Sequence, residues 1–231
     1  KALANFTWNE TVRQKAHERV TEFHTYLQRQ IEIKRATPDG SLLSVMLATQ
    51  EPLPLSDEEI RRNASIIFFG GISTVEALLL NSLYVLTERD DLRERLRQHP
   101  GELAPFLDEV VRWSGPVQSA TRHVLHSVEL HGVNFQPGDT VNCMIAAANR
   151  DPTIFDSPER FDPDRPNLRR HLGFAIGTHH CLGSHLAKLE AHIALQHLLA
   201  AMPRMRRAQG CDVRMAGHEF RQPANFLLSI G

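Results

Sequence analysis

One helix constrains this chain more than any other feature. Ser56-Asp-Glu-Glu59 is a capping box, in which the Ser56 hydroxyl and the Glu59 carboxylate can satisfy each other's backbone donors. The helical pattern that starts there runs to about Arg89. Its middle, with Ile66-Ile67-Phe68-Phe69 and Ala77-Leu78-Leu79-Leu80, is apolar nearly all round, which predicts burial. Any fold for this sequence has to be built around that helix.

The neighbouring segments read as partners for it. Thr11 to Arg35 is a charged helix with Val12, Ala16, Val20, Phe23, Leu27 and Ile31 at three- and four-residue steps. Pro38-Asp39-Gly40 turns the chain, and Ser41 caps a short helix from Leu42 to Ala48. Leu92 to Gln98 and Glu102 to Trp113 form two more helices, split by Pro100-Gly101. Thr121 to Val141 alternates, with turn signals at His131-Gly132 and Pro137-Gly138, and predicts a small antiparallel sheet. Asp151 to Arg170 holds four X-Pro steps and should be an extended, meandering segment. Gly183 to Met202 reads as a helix that buries Leu186, Leu189, Ile193 and Leu198, and short strands follow from Pro203. The class is mainly α with a small segregated antiparallel β part.

Composition removes several functions. The net charge of -1 gives no field that favours nucleic acid or membrane, and aromatics at 6% are not interleaved with basic runs. The apolar runs of the long helix are short, so none reaches the roughly 20 apolar residues of a membrane span. No signal peptide is read. Cys143, Cys181 and Cys211 are odd in number, widely spaced and without a C-x-x-C pair. A disulfide framework is not expected, and a reducing, cytoplasmic setting fits.

Cysteine, if it matters, matters singly, and Gly173-Phe-Ala-Ile-Gly-Thr-His-His-Cys-Leu-Gly183 is where it would. A zinc site could draw on His179, His180, Cys181 and His185, but adjacent residues seldom both reach one metal, and the other cysteines lack close partners. A nucleophilic Cys181 could use His179 or His180 as base, which leaves Gly173, Gly177 and Gly183 without a role. Covalent haem attachment needs C-x-x-C-H, which is absent. A haem thiolate uses more of the loop. Glycines let backbone approach a flat macrocycle, Phe174 can shield the sulfur, and the following helix start stabilises a thiolate. A plain buried cysteine is the bland alternative.

The spacing Phe174-x-x-Gly177-x-x-x-Cys181-x-Gly183 resembles the haem-binding signature of the cytochrome P-450 monooxygenases. Three further matches follow the family's order. Glu109-Val-Val-Arg112 is similar to its E-x-x-R helix, and Pro158-Glu-Arg160-Phe161 to the later arginine motif. Taken alone, Glu109 and Arg112 would be an exposed pair worth about 0.2–0.5 kcal/mol. The resemblance implies a buried Glu109 shared by Arg112 and Arg160, with a structural role. Phe69-Gly70-Gly71-Ile-Ser73-Thr74-Val-Glu76 resembles the oxygen-binding groove. Two helical glycines cost about 0.8–1 kcal/mol each against alanine. Their bland use is close packing, their functional use a kink that admits ligand. Thr74 falls on the family's proton-delivering threonine, and Ser73 stands where an acid is usual. Arg122, after Pro116 to Thr121, matches a haem-propionate ligand, as does His179.

The resemblance implies heme b with Cys181 as axial thiolate, oxygen from O2, a lipophilic substrate lined in part by 116–120, and electrons from a ferredoxin-type partner. Arg169 and Arg170 could serve docking. It covers residues 1–231 but only the C-terminal half of the family's fold, so a partial domain with exposed apolar faces on the long helix is also expected. Ser73 keeps a peroxide-driven or otherwise atypical oxidase open, because serine can relay a proton but cannot supply one as an acid does. A non-catalytic zinc or interaction module is the remaining alternative.

Overall fold

The computed structural model describes residues 9–230. These residues form two compact units that divide within one helix, between Ser73 and Thr74.

In the first unit, α1 spans Glu10–Ala36, and the Asn9 carboxamide caps it by accepting the Val12 amide at 3.1 Å. Ser41 caps α2, Leu42–Ala48, through the Ser44 amide. The capping box opens α3, Asp57–Glu88: the Ser56 amide donates to Glu59 at 2.8 Å and the Glu59 amide to the Ser56 hydroxyl at 3.3 Å. Ile31, Met46 and Ile60 make the small core here, ringed by Leu43, Leu47 and Leu55. The charged face of α1 is tied down too, since Asp57 accepts from both Gln28 and Arg35.

Two expectations about α3 change. Residues 66–72 are exposed in a continuous run, so the middle is not buried on all sides. The run is one of the open apolar faces expected on this helix of a partial domain. Phe68 still meets Phe23, ring centroids 4.9 Å apart. The helix also contains an 18-residue window of mean hydropathy 1.7, long and apolar enough to cross a membrane by length and composition. Counting unbroken apolar runs misses this, because glycine, serine and threonine interrupt a run while lowering its mean only slightly.

In the second unit, Ala77, Leu78, Leu83, Val85 and Leu86 of α3 are buried. They share a core with Leu92 and Leu96 of α4 (Asp90–Gln98), with α5 (Leu103–Ser114) through Leu103, Phe106, Leu107, Val110 and Val111, and with Leu195 and Leu199 of the last helix, Ser184–Ala201. Helix α6 is the single turn Ile145–Ala148, and α7 spans Ser184–Ala201. Leu186, Leu189 and Ile193 of α7 are exposed, contrary to expectation, while Ser184, Ala191, Leu195 and Leu199 face inward. The helix carries apolar residues on two sides, so periodicity alone cannot choose between them.

Among the described residues, the strands form four two-stranded antiparallel pairs. β1 (Ala120–His123) pairs with β4 (Thr140–Cys143), Ala120 opposite Cys143. β2 (Val128–Leu130) and β3 (Val133–Phe135) make a hairpin at His131-Gly132, both at positive φ. β5 (Arg206–Arg207) pairs with β8 (Leu228–Ser229), and β6 (Arg214–Ala216) with β7 (Gln222–Ala224). The segment from Asp151 to Arg170 is turns and one 3-10 turn, 168–170.

Candidate functional site

The site's foundation is α5. Glu109 and Arg112 lie one helical turn apart, with both side chains fully buried. Arg112 donates to Glu109 through Nε at 2.6 Å and Nη2 at 2.8 Å. Its other donors go to backbone: Nη1 to the carbonyls of Asn149 (3.0 Å) and Pro158 (2.9 Å), Nη2 to that of Arg160 (3.1 Å). This is the buried fork, not a surface pair.

The third member differs from expectation. Arg160 contributes only its carbonyl; its side chain is 73% exposed, with Nη2 3.6 Å from Asp162. Arg165 takes the place at Glu109, with Nε 3.3 Å from Oε1 and a side chain only 6% exposed. The cause is local. Phe161 turns into the core against Phe106 and Trp113, both centroids 5.7 Å away, and the residue before it must then point outward. Arg165 stands in Phe161-Asp-Pro-Asp-Arg165, so the residue was visible in the sequence but its role was not.

The cysteine loop lies against the same helix. Gly173 approaches α5 so closely that a Cβ would sit 2.2 Å from Val111 Cγ1. Phe174 packs on the core, and its carbonyl accepts the Cys181 amide at 2.8 Å. Between them Ala175 and Gly177 take φ of 56° and 65°, and 177–179 form one 3-10 turn. A Cβ at Gly177 meets nothing within 4 Å, so its glycine serves conformation, not close contact. Helix α7 begins at Ser184 after Gly183, whose carbonyl accepts the Ala187 amide at 2.8 Å. Cys181 therefore precedes the helix by three residues and does not cap it.

Residues 176–183, Cys181 among them, are all exposed. His179 is exposed, whereas His180 links the loop to the helix: its Nδ1 is 3.3 Å from the Ala175 carbonyl and its Nε2 3.3 Å from Ser184 Oγ. Leu182, Leu186, Leu189 and Ile193, at steps of four, three and four, continue an exposed apolar stripe from the loop along α7. Arg122 is half-buried on β1, with Nη1 2.9 Å from the Thr121 carbonyl. Gly70 and Gly71 are exposed helical positions where a Cβ would meet nothing within 4 Å, so close helix packing is not their use here. Ser73 and Thr74 are both half-buried.

An outward thiol, a loop bent through two positive-φ residues and a flanking apolar stripe suit a flat apolar cofactor with one metal ligand from the protein. No group of three or more His, Cys, Asp or Glu that could hold a metal occurs among the described residues. A zinc site has no such ligand set to draw on, whereas a single thiolate needs none.

Residues 3–101 and 103–202 match the family model described as Cytochrome P450. The chain belongs to the cytochrome P450 family. A putative cytochrome P450 140 of Mycobacterium bovis is 33% identical over 224 residues, 95% of this chain and 49% of that protein. The cytochrome P450 monooxygenase PikC of Streptomyces venezuelae is 37% identical over 191 residues, 81% of this chain and 46% of that protein. The structure of CYP109E1 from Bacillus megaterium in complex with corticosterone superposes with a TM-score of 0.87 at 33% identity, covering 96% of this chain and 60% of that one. P450BioI bound to a fatty-acyl-ligated acyl carrier protein gives 0.90 at 29% identity, covering 99% and 58%. The chain thus spans about half the length of the curated P450 relatives it matches.

Proposed function

We propose that this chain carries the haem-thiolate part of a P450 monooxygenase, in which the Cys181 thiolate would hold heme b. The supporting observation is the exposed Cys181 in a loop pinned to α5 and flanked by apolar side chains. Bound haem supplies O2 activation and insertion of one oxygen atom into substrate. The chain's own residues supply the setting. The Phe174 carbonyl fixes the Cys181 backbone, and Phe174 itself keeps water from the thiolate's side of the loop. Arg122 and His179 would hold the cofactor's carboxylates. Thr74 holds and passes a proton at its hydroxyl, and Ser73 relays one through water. Gly70 and Gly71 leave room beside them.

The substrate in this proposal is a lipophilic small molecule. A relative named steroid C26-monooxygenase, 30% identical, and the corticosterone-bound neighbour are consistent with that class. Electrons come from a ferredoxin-type protein, for which Arg169 and Arg170 offer an exposed basic pair. The compartment is cytoplasmic, in keeping with three free cysteines. Ser73 in the acid's place supports a second reading, a peroxide-driven oxidase.

Iron analysis at saturating haemin tests the ligand: Cys181→Ala should lose the ferrous–carbon monoxide band of a thiolate haem, and retention of that band overturns the proposal. The chain alone should hold haem weakly or not at all, and a stable thiolate band without excess haemin would refute that. Turnover with hydrogen peroxide against NADPH and ferredoxin separates the two oxidative routes, and Ser73→Asp should raise coupling only if the ordinary, ferredoxin-driven monooxygenase mechanism operates.

A further inference from the structure

Three titratable side chains meet at the ring of Phe174. Asp108, on α5 beside Glu109, is 16% exposed. Lys188 Nζ, from the second turn of α7, lies 2.5 Å from its Oδ1, and His171 Nε2 lies 3.6 Å from the same oxygen. Lys188 also stands over the Phe174 ring at 5.3 Å, and the His171 ring is 5.9 Å from it. On its other side His171 Nδ1 accepts the Gly173 amide at 3.2 Å. With Nδ1 accepting that amide, the ring turns its Nε2 toward Asp108.

The contacts make a continuous path. It runs from Lys188 and Asp108 to His171, from His171 to the Gly173 amide, and from Phe174 to the Cys181 amide. A mostly buried carboxylate between two such groups is a costly way to join two helices, since apolar residues of similar volume do that at least as well. The cluster's ends fall instead on the residues that lead into the cysteine loop.

We infer that His171 and Lys188, held by Asp108, are positioning residues for the cysteine loop: they fix the Gly173 backbone and the Phe174 ring, and through the Phe174 carbonyl the amide of Cys181. Their bearing on chemistry rests on Cys181 being the haem ligand, but the clamp itself belongs to the haem-free chain and is tested there.

Amide hydrogen exchange of this chain without haem is the experiment. His171→Ala should speed exchange at Gly173 and Cys181 about tenfold while the Leu107 and Val110 amides of α5 keep their rates. His171→Asn, whose Oδ1 falls near the position of Nδ1, should restore most of the protection. Lys188→Met, at a half-exposed position, should speed the Cys181 amide about threefold, and it carries the test if His171→Ala does not fold. An unchanged Cys181 amide in the variants that fold overturns the inference. Equal acceleration of the α5 amides does so too, because it means general loosening. If the exchange pattern holds and Cys181→Ala keeps its thiolate band, the clamp stands and the ligand reading falls.

Discussion

Arg165 Nε lies 3.3 Å from Glu109 Oε1 across 56 residues of sequence. That pairing joins α5 to the coil after the Pro158 turn, and Glu109 Oε1 also accepts the Asp162 amide at 2.7 Å. The carboxylate is the hub: Arg112 reaches it from one turn further along the same helix, and Arg165 from the distant coil.

Truncating the hub should be severe. Glu109→Ala leaves Arg112 charged and buried and should cost about 3–5 kcal/mol, read by urea denaturation. Arg165→Ala should also be clearly destabilising, because it strips a donor from Glu109 and one each from the carbonyls of Asp156, Ser157 and Arg160. Arg160→Ala should stay within about 0.5 kcal/mol of the parent, as for other exposed side chains. A loss at Arg160 as large as that at Arg165 would contradict the geometry.

Glycines in this chain should respond in opposite directions. Gly70→Ala and Gly71→Ala sit in helical backbone with open space at the Cβ, and each should raise stability by about 0.5–1 kcal/mol. Gly173→Ala forces the loop or Val111 to move and should lower it by about 1–3 kcal/mol. Thermal melts of the three variants check both signs.

Cys181→Ser should leave the fold alone. The side chain is exposed, so the melting midpoint should change by no more than about 0.5 kcal/mol of stability. A large drop would mean that the thiol packs in the core and serves structure rather than a cofactor.

Acid should act through Asp108. Burial works against its carboxylate, yet His171 and Lys188 outweigh that and hold its carboxyl below the usual range. A lowered folded value gives stability that is complete above the unfolded value of about 3.9 and lost as pH falls through the folded one. The parent should therefore lead Asp108→Asn in melting temperature near pH 6, with the gap closing as pH falls below the unfolded value. A gap that widens on acidification would reverse the assignment.

Most of the fold was legible in the sequence, because the capping box, the proline breaks and the paired turn signals are local. What was not legible lies on elements with two apolar sides. On α7, Leu186, Leu189 and Ile193 carry as strong a helical period as Ala191, Leu195 and Leu199, and it is packing against α4 and α5 that selects the second set. On α3, composition could not say that residues 66–72 would be open while 77–86 are core. The cysteine loop was readable through its spacing, whereas Arg165, Asn149 and His171 were hidden. Their roles come from turns that bring distant backbone to them, as when the Asn149 side chain accepts the Leu172 amide at 2.7 Å.

Arg112 has five N–H donors, and all five are taken: two by a carboxylate and three by the carbonyls of residues 149, 158 and 160. Those carbonyls belong to a stretch with neither helix nor sheet to bond them. A single planar side chain thus does for this coil what a neighbouring strand does for a sheet: it gives irregular backbone an address. Lysine, with three donors and no plane, could keep the charge there and still lose the map.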